Sequence, residues 1–205
     1  MTKIIKAGDQ NLYSEAADCL NNGGVIIYPT ETLYGIGCLA FSESSCNRIL
    51  DIKKRPENKG MILLVKDEFM LNKYFRIDKS SLEKYLRIKK PITLILETKT
   101  SFPIAVLGEN VNVAVRISQN IFVKKLFNLI DQPITSTSAN LSGTHNLLDI
   151  KTICKNFNNK VDLIIDSGSI PSSNGSAIVD LTQTPPVLIR EGDLTRKDIK
   201  ELING

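Results

Sequence analysis

The chain has 205 residues, 42% of them apolar and 23% charged, a globular balance that excludes disordered, collagen-like and disulfide-scaffold proteins. That length points to one domain, expected to span residues 1–205, with a core that needs no covalent staples. Twenty-six lysines and arginines against 22 aspartates and glutamates leave a net charge of +4, which permits an anionic ligand or RNA and demands neither.

The elements are read in chain order. Residues 3–7 form a short β-branched strand. Asp9 caps a helix running to Asn21, with Leu12, Ala16, Cys19 and Leu20 near helical spacing and Gly23-Gly24 as the stop. A buried-type strand follows over 24–29. Ser42 then caps a helix over 43–54, on which Cys46, Ile49, Leu50 and Lys53 share a face before Pro56 ends it. Further strands are predicted at 60–65, 92–97, 111–117, 133–136, 161–166, 176–181 and 187–190. Helices are predicted at 67–74, 78–86, 119–130, 148–157 and 195–203. The strands at 92–97 and 111–117 follow each other directly, whereas others are separated by helices. The fold class is therefore α/β (α+β), a mixed sheet with helices packed on it, not a doubly wound parallel sheet. The segment 167–176 is linker-like in composition, but strands on both sides make it a long functional loop.

The apolar runs at 25–28, 61–65 and 163–165 fall short of the ~18 residues of a membrane span. Residues 1–10 carry lysines with no apolar stretch behind them, so no signal peptide is expected. Cys19, Cys38, Cys46 and Cys154 are scattered without a C-x-x-C, which argues against zinc and suits a reduced, cytoplasmic compartment. No protein-held metal is expected.

The familiar nucleotide and hydrolase motifs fail. There is no P-loop, no G-x-S-x-G and no H-E-x-x-H. Gly35-Ile36-Gly37-Cys38-Leu39-Ala40 matches a dinucleotide pattern formally, but the strand before it ends near Tyr28 and the helix starts only after Ser42. A serine triad would have to use His145, the only histidine.

What remains is a set of polar segments at strand ends. Tyr28-Pro29-Thr30-Glu31-Thr32-Leu33-Tyr34-Gly35-Ile36-Gly37 joins hydroxyl donors to glycines that allow close backbone approach, though an ordinary turn would look similar. Lys53-Lys54-Arg55-Pro56-Glu57-Asn58-Lys59-Gly60 sets cations at a helix C-terminus, either as a solvated charge run or as a clamp on phosphate oxygens. Ser136-Thr137-Ser138-Ala139-Asn140-Leu141-Ser142-Gly143 follows a short strand and forms either a capped turn or an anion-binding nest. Arg116, Ser176 and Arg190 also lie at strand ends.

Together these segments resemble the YrdC/TsaC family of threonylcarbamoyl-AMP synthases. The likeness runs from about Asp9 to Gly192. It is carried by Pro29-Thr30-Glu31-Thr32-x-Tyr34-Gly35-x-Gly37, Lys53-x-Arg55-Pro56, Pro91-x-Thr93, Val113-Ala114-Val115-Arg116, Ser136-Thr137-Ser138-Ala139-Asn140-x-Ser142-Gly143, Ser176-x-Ile178-Val179-Asp180 and Arg190-x-Gly192. The resemblance implies a YrdC-like twisted sheet of parallel and antiparallel strands, with flanking helices, around a concave basic cavity. It implies a cytoplasmic nucleotidyltransferase that makes threonylcarbamoyl-AMP and pyrophosphate from L-threonine, bicarbonate or CO2, and ATP. Mg2+ would accompany the ATP. The product would pass to a transferase complex that modifies adenosine 37 of tRNAs reading codons that begin with A.

The resemblance also implies roles for residues. Lys53 and Arg55 would be catalytic and, with Lys59, would hold the phosphates. Thr30, Thr32, Arg116, Ser136 and Ser176 would bind threonine, with Arg116 on its carboxylate. Ser138, Asn140 and Ser142 would form the nest under the phosphates, and Asn112, Asn146 and Arg190 would lie on the nucleotide side. This chain departs from the family pattern in four places. Lys90 stands where glycine is frequent before Pro-x-Thr. Ile117-Ser118 replaces the x-P of an R-x-P. Leu64 stands where one branch has histidine, and Asn112 where threonine is common. The segment Lys59-Gly60-Met61-Ile62 and the short stretch after Arg190 are like the short bacterial branch, so no extra C-terminal domain is expected. The competing readings are an RNA-binding or ribosome-maturation module, for which the dispersed tyrosines and phenylalanines offer no stacking run, and an inactive paralogue of the same fold.

Overall fold

The computed structural model describes residues 1–140 and 149–198. In chain order the elements are β1 (Lys3–Lys6), α1 (Leu12–Asn21), β2 (Ile26–Pro29), β3 (Tyr34–Gly37), α2 (Glu43–Lys53), β4 (Ile62–Val65), α3 (Glu68–Tyr74) and α4 (Lys79–Arg87), followed by β5 (Ile92–Glu97), α5 (Ile104–Leu107), β6 (Asn112–Ile117), α6 (Ile121–Leu126), β7 (Ile134–Ser138), α7 (Ile150–Phe157), β8 (Leu163–Asp166), β9 (Ala177–Asp180) and β10 (Val187–Arg190).

Among the described residues the strands form one sheet in the order β1-β8-β2-β3-β7-β4-β6-β5-β9-β10. The pairs β1–β8, β2–β8, β4–β6 and β5–β9 are parallel and the remaining neighbours antiparallel, the mixed sheet expected. β2 is buried along its whole length, and α1 and α6 pack against it and each other. On that apolar layer Tyr13 stacks on Phe122 with ring centroids 5.8 Å apart.

Local side chains set the helix boundaries. Asp67 accepts from the Met70 amide at 2.8 Å, Asp78 from Ser81 at 2.9 Å and Asp149 from Thr152 at 3.0 Å, each tying down a first-turn N–H that the helix itself leaves unpaired. Ser42 stands at the N-cap of α2, but its hydroxyl pairs with that of Ser45 at 2.6 Å. Asn120 caps α6, which is shorter than the helix predicted over 119–130. Most of the helix predicted over 195–203 lies outside the described residues, as does Leu148.

Two elements were not expected. One is the short α5. The other is β3, whose glycines read as turn residues in isolation. A Cβ on Gly37 would stand 2.0 Å from the carbonyl oxygen of Thr135, so only glycine lets β7 close against this strand. β7 thereby becomes the middle of the sheet, with Ser138 opposite Gly35 on one side and Ser136 opposite Ile62 on the other.

Candidate active site

A cavity of about 390 Å3 opens over this central region of the sheet. Its floor is built from strand ends. Ser136, Thr137 and Ser138 come from β7, Tyr34 and Gly35 from β3, Ile62 from β4, and Ala114 and Arg116 from β6. Strand alternation puts Ala114 and Arg116 on one face, so an arginine that closes an apolar strand is delivered into a cleft.

Thr30 organises the turn between β2 and β3. Its hydroxyl donates to Leu33 O at 2.6 Å and accepts from the amides of Thr32 and Leu33 at 3.2 and 3.1 Å. Its oxygen also lies 3.1 Å from that of Thr32, and both threonines line the cavity. The loop 167–176 is tied down at both ends. Tyr34 donates to Gly168 O and accepts from the Ser167 amide, while Asp193 accepts from the amide of Asn174 at 2.8 Å. This brings Asn174, Gly175 and Ser176 to the rim. Ser176 lies 2.8 Å from the hydroxyl of Thr93, which gives the Pro91-x-Thr93 segment a physical part in the site.

Three arginines converge here. Arg55 lines the cavity and is held by two backbone carbonyls, Nε on Lys59 O at 3.0 Å and Nη2 on Gly60 O at 2.7 Å. Arg190 donates from Nε to Ser176 O at 3.0 Å and from Nη2 to Ser176 Oγ at 3.3 Å. Burial, and then the neighbouring charge of Arg116, push the Arg190 guanidinium below its ordinary range, and burial does the same to Arg55. Arg116 is buried and pairs with Glu31, its Nε 3.0 Å from Oε1. Such a cluster of desolvated cations favours an anionic ligand that spreads charge over several oxygens.

The residues expected at the site thus divide. Thr30, Thr32, Arg55, Arg116, Ser136, Ser138, Ser176 and Arg190 all line this one cavity. Lys53 does not. It is 1% exposed, and its ammonium donates to the carbonyls of Ser138 and Asn140, the latter at 2.6 Å, with Asn140 Oδ1 at 3.4 Å. These acceptors direct it away from the cavity lining, and in this position it holds the 138–140 turn. Asn140 faces the same tether and also accepts from the Ser138 hydroxyl. Lys59 is exposed and contributes its backbone oxygen to Arg55. Asn112 shares the face of Ala114 and Arg116 but sits beyond the lining, its amide donating to Thr182 Oγ1 at 3.3 Å. Ser142 and Asn146, with His145, lie outside the described residues. The sequence reading did not single out Asn174, Gly175 or the carboxylate of Glu31. The first two lay within the loop already marked as functional, and Glu31 lay within the Pro29-Thr30-Glu31-Thr32 motif but was given no role there.

Among the described residues no group of three or more His, Cys, Asp or Glu side chains could hold a metal ion. The donors facing the cavity are hydroxyls, an amide and cations, and the nearby carboxylate pairs with Arg116. A divalent ion here suits a passenger on a polyphosphate better than a protein cage. No helix among the described residues is long and apolar enough to cross a membrane.

A family model described as "Telomere recombination", covering Sua5, YciO and YrdC, matches residues 18–192. The chain belongs to the Sua5/YciO/YrdC family. It is 32% identical over 193 residues to the threonylcarbamoyl-AMP synthase of Pyrococcus abyssi, covering 92% of this chain and 56% of that one. Against the enzyme of the same name from Pseudoalteromonas translucida it is 33% identical over 176 residues, covering 84% of this chain and 94% of that one. The fold superposes on P. abyssi Sua5 complexed with L-threonine with a TM-score of 0.89 at 29% identity, over 99% of this chain and 61% of that one. Escherichia coli YciO gives a TM-score of 0.86 at 27% identity, with 97% and 99% covered. The twisted mixed sheet with flanking helices is therefore the family fold. The chain spans little more than half the length of the P. abyssi relative.

Proposed function

We propose that this cavity makes L-threonylcarbamoyl-AMP and pyrophosphate from L-threonine, bicarbonate or CO2, and ATP. The observation that carries the reading is the convergence of Arg55, Arg116 and Arg190 with the hydroxyls of Thr32, Ser136, Ser138 and Ser176 on one cavity. The names of the curated relatives, and the threonine complex of P. abyssi Sua5, support the substrate class.

In this reading Arg116 takes the threonine carboxylate, while Thr32, Ser136 and Ser176 fix the amino acid beside it. The threonine amine adds to bicarbonate with loss of water, or to CO2 with loss of a proton, and becomes a carbamate. A carbamate oxygen then attacks the α-phosphorus of ATP and pyrophosphate leaves. Arg55 and Arg190 hold the phosphate and nucleotide side, and Ser138 supplies a hydroxyl near the reacting oxygens. Mg2+ enters as part of the ATP substrate, with no step routed through a protein-bound metal. No protein nucleophile is required. Catalysis is positioning plus charge stabilisation by groups already desolvated, which strengthens each interaction with a developing negative charge. Transfer of the product toward adenosine 37 of tRNA belongs to the same proposal.

The test is pyrophosphate release with each of L-threonine, bicarbonate and ATP omitted in turn, and mass spectrometry of the quenched mixture for the adenylate. Release that needs all three and falls about 10²-fold or more in Arg55→Ala supports the reading. Absence of release, with ATP and threonine still bound, overturns it in favour of an inactive paralogue. RNA binding with a steep salt dependence and no small-molecule binding would favour the RNA-binding module.

A further inference from the structure

Arg116 is held from behind by a short chain of buried groups. Its Nε and Glu31 Oε1 face each other at 3.0 Å, with the side chains 5% and 15% exposed. The two atoms are out of hydrogen-bond alignment and neither has another partner. The second carboxylate oxygen, Glu31 Oε2, accepts from the hydroxyl of Ser118 at 2.7 Å. The Ser118 oxygen in turn accepts from the amide of Asn120 at 3.3 Å, the residue that caps α6. With that N–H on its acceptor side, the Ser118 proton is directed toward Glu31.

Arg116 lines the cavity, whereas Glu31 lines an adjoining pocket that shares Thr30 and Thr32 with it, so the carboxylate reaches the guanidinium from the neighbouring side. Arg116 itself lines the cavity, so its guanidinium is within reach of a ligand there. The aligned hydrogen bond of this carboxylate is on its other oxygen, where Ser118 holds it. The position after Arg116-Ile117 is where the family pattern often has proline, which carries no hydroxyl to do this.

We propose that Ser118 and Glu31 are positioning residues that set the angle of the Arg116 guanidinium, and thereby tune affinity for the carboxylate of the amino-acid substrate. This rests on the synthase reading, and it adds a determinant of carboxylate recognition outside the cavity lining.

The test uses the full chain and the variants Ser118→Ala and Glu31→Gln, with folding checked by thermal melting. Dissociation constants for L-threonine and for ATP are measured separately. Exchange of the Arg116 Nε–H with solvent is followed by NMR on arginine-labelled protein. Ser118→Ala is expected to weaken threonine about threefold, the scale of one ordinary hydrogen bond, and Glu31→Gln, which removes the charge beside Arg116, about tenfold. ATP affinity stays within about twofold, and Arg116 Nε–H exchange speeds up in both variants. Equal weakening of ATP and threonine, or no change in threonine affinity and Nε–H exchange, overturns the proposal. If the wild-type chain binds no threonine, the synthase reading fails. The exchange measurement then decides the positioning claim alone, and unchanged exchange in both variants overturns it.

Discussion

The ammonium of Lys53 donates to the backbone carbonyl of Asn140 at 2.6 Å, from the last residue of α2 into the turn that follows β7. It also donates to Ser138 O, so a single buried side chain spans 85 positions of sequence to hold the edge of the cavity. Replacing it removes a buried charged donor from both carbonyls, although Ser138 O keeps the Asn140 amide at 2.8 Å. Lys53→Met should cost about 1–3 kcal/mol in stability, the scale of lost hydrogen bonds to a charged group. It should also lower synthase activity through displacement of Ser138. Urea unfolding and steady-state kinetics check both, and an unchanged unfolding midpoint would count against the tether.

The same lysine gives a pH dependence of definite sign. Burial, and then the charge of Arg55, push its pKa from the ordinary 10.5 down to about 7. Between those values the unfolded chain keeps a proton that the folded chain has lost, so unfolding takes up protons and stability rises with pH. Wild-type stability relative to Lys53→Met should therefore increase from pH 7 towards pH 10. Denaturant titrations at pH 7 and 9 test this, and a constant difference would show that Lys53 keeps its proton.

Gly37→Ala should be severe. Its Cβ would lie 2.0 Å from Thr135 O in the neighbouring strand, so β3 and β7 must part at the centre of the sheet. A loss of about 3 kcal/mol or more is expected. Gly8→Ala is the control, because nothing lies within 4 Å of the added atom, and it should leave the melting temperature nearly unchanged.

Arg190→Lys should not rescue Arg190→Ala. The guanidinium grips Ser176 through both its carbonyl and its hydroxyl, a two-point contact that an ammonium on a flexible stem does not reproduce. Both variants should lose about 10²-fold in kcat/KM, whereas Asn112→Ala, beyond the cavity lining, should lose little.

Several features of the site were legible in local sequence. Asp67 and Asp78 each sit one position before a helical pattern and cap it through a backbone amide. The Gly-Ser-rich stretch between two strand patterns signalled a working loop, and Asn174, Gly175 and Ser176 from it do line the cavity. Lys53 carried two conflicting signals. Its cationic neighbourhood suggested phosphate, yet its helical spacing with Cys46, Ile49 and Leu50 put it on the buried face, and the spacing prevailed. Lys54 turns left-handed at φ 50°, which ends the helix, and Arg55 lines the cavity two residues after Lys53 turned inward.

By itself the sequence determined most of the secondary elements and the family, because caps, stop signals and apolar periodicity act over a few residues and the motifs keep their order along the chain; β3 and α5 came only with the fold. Tertiary structure alone decided which side chains meet. The Glu31–Arg116 pair depends on where the β2–β3 turn comes to lie beside the end of β6, and the Arg190 contact depends on β9 and β10 pairing at the sheet edge. Strand order and register are set by burial of the whole sheet, and no local pattern encodes a contact between positions 85 residues apart.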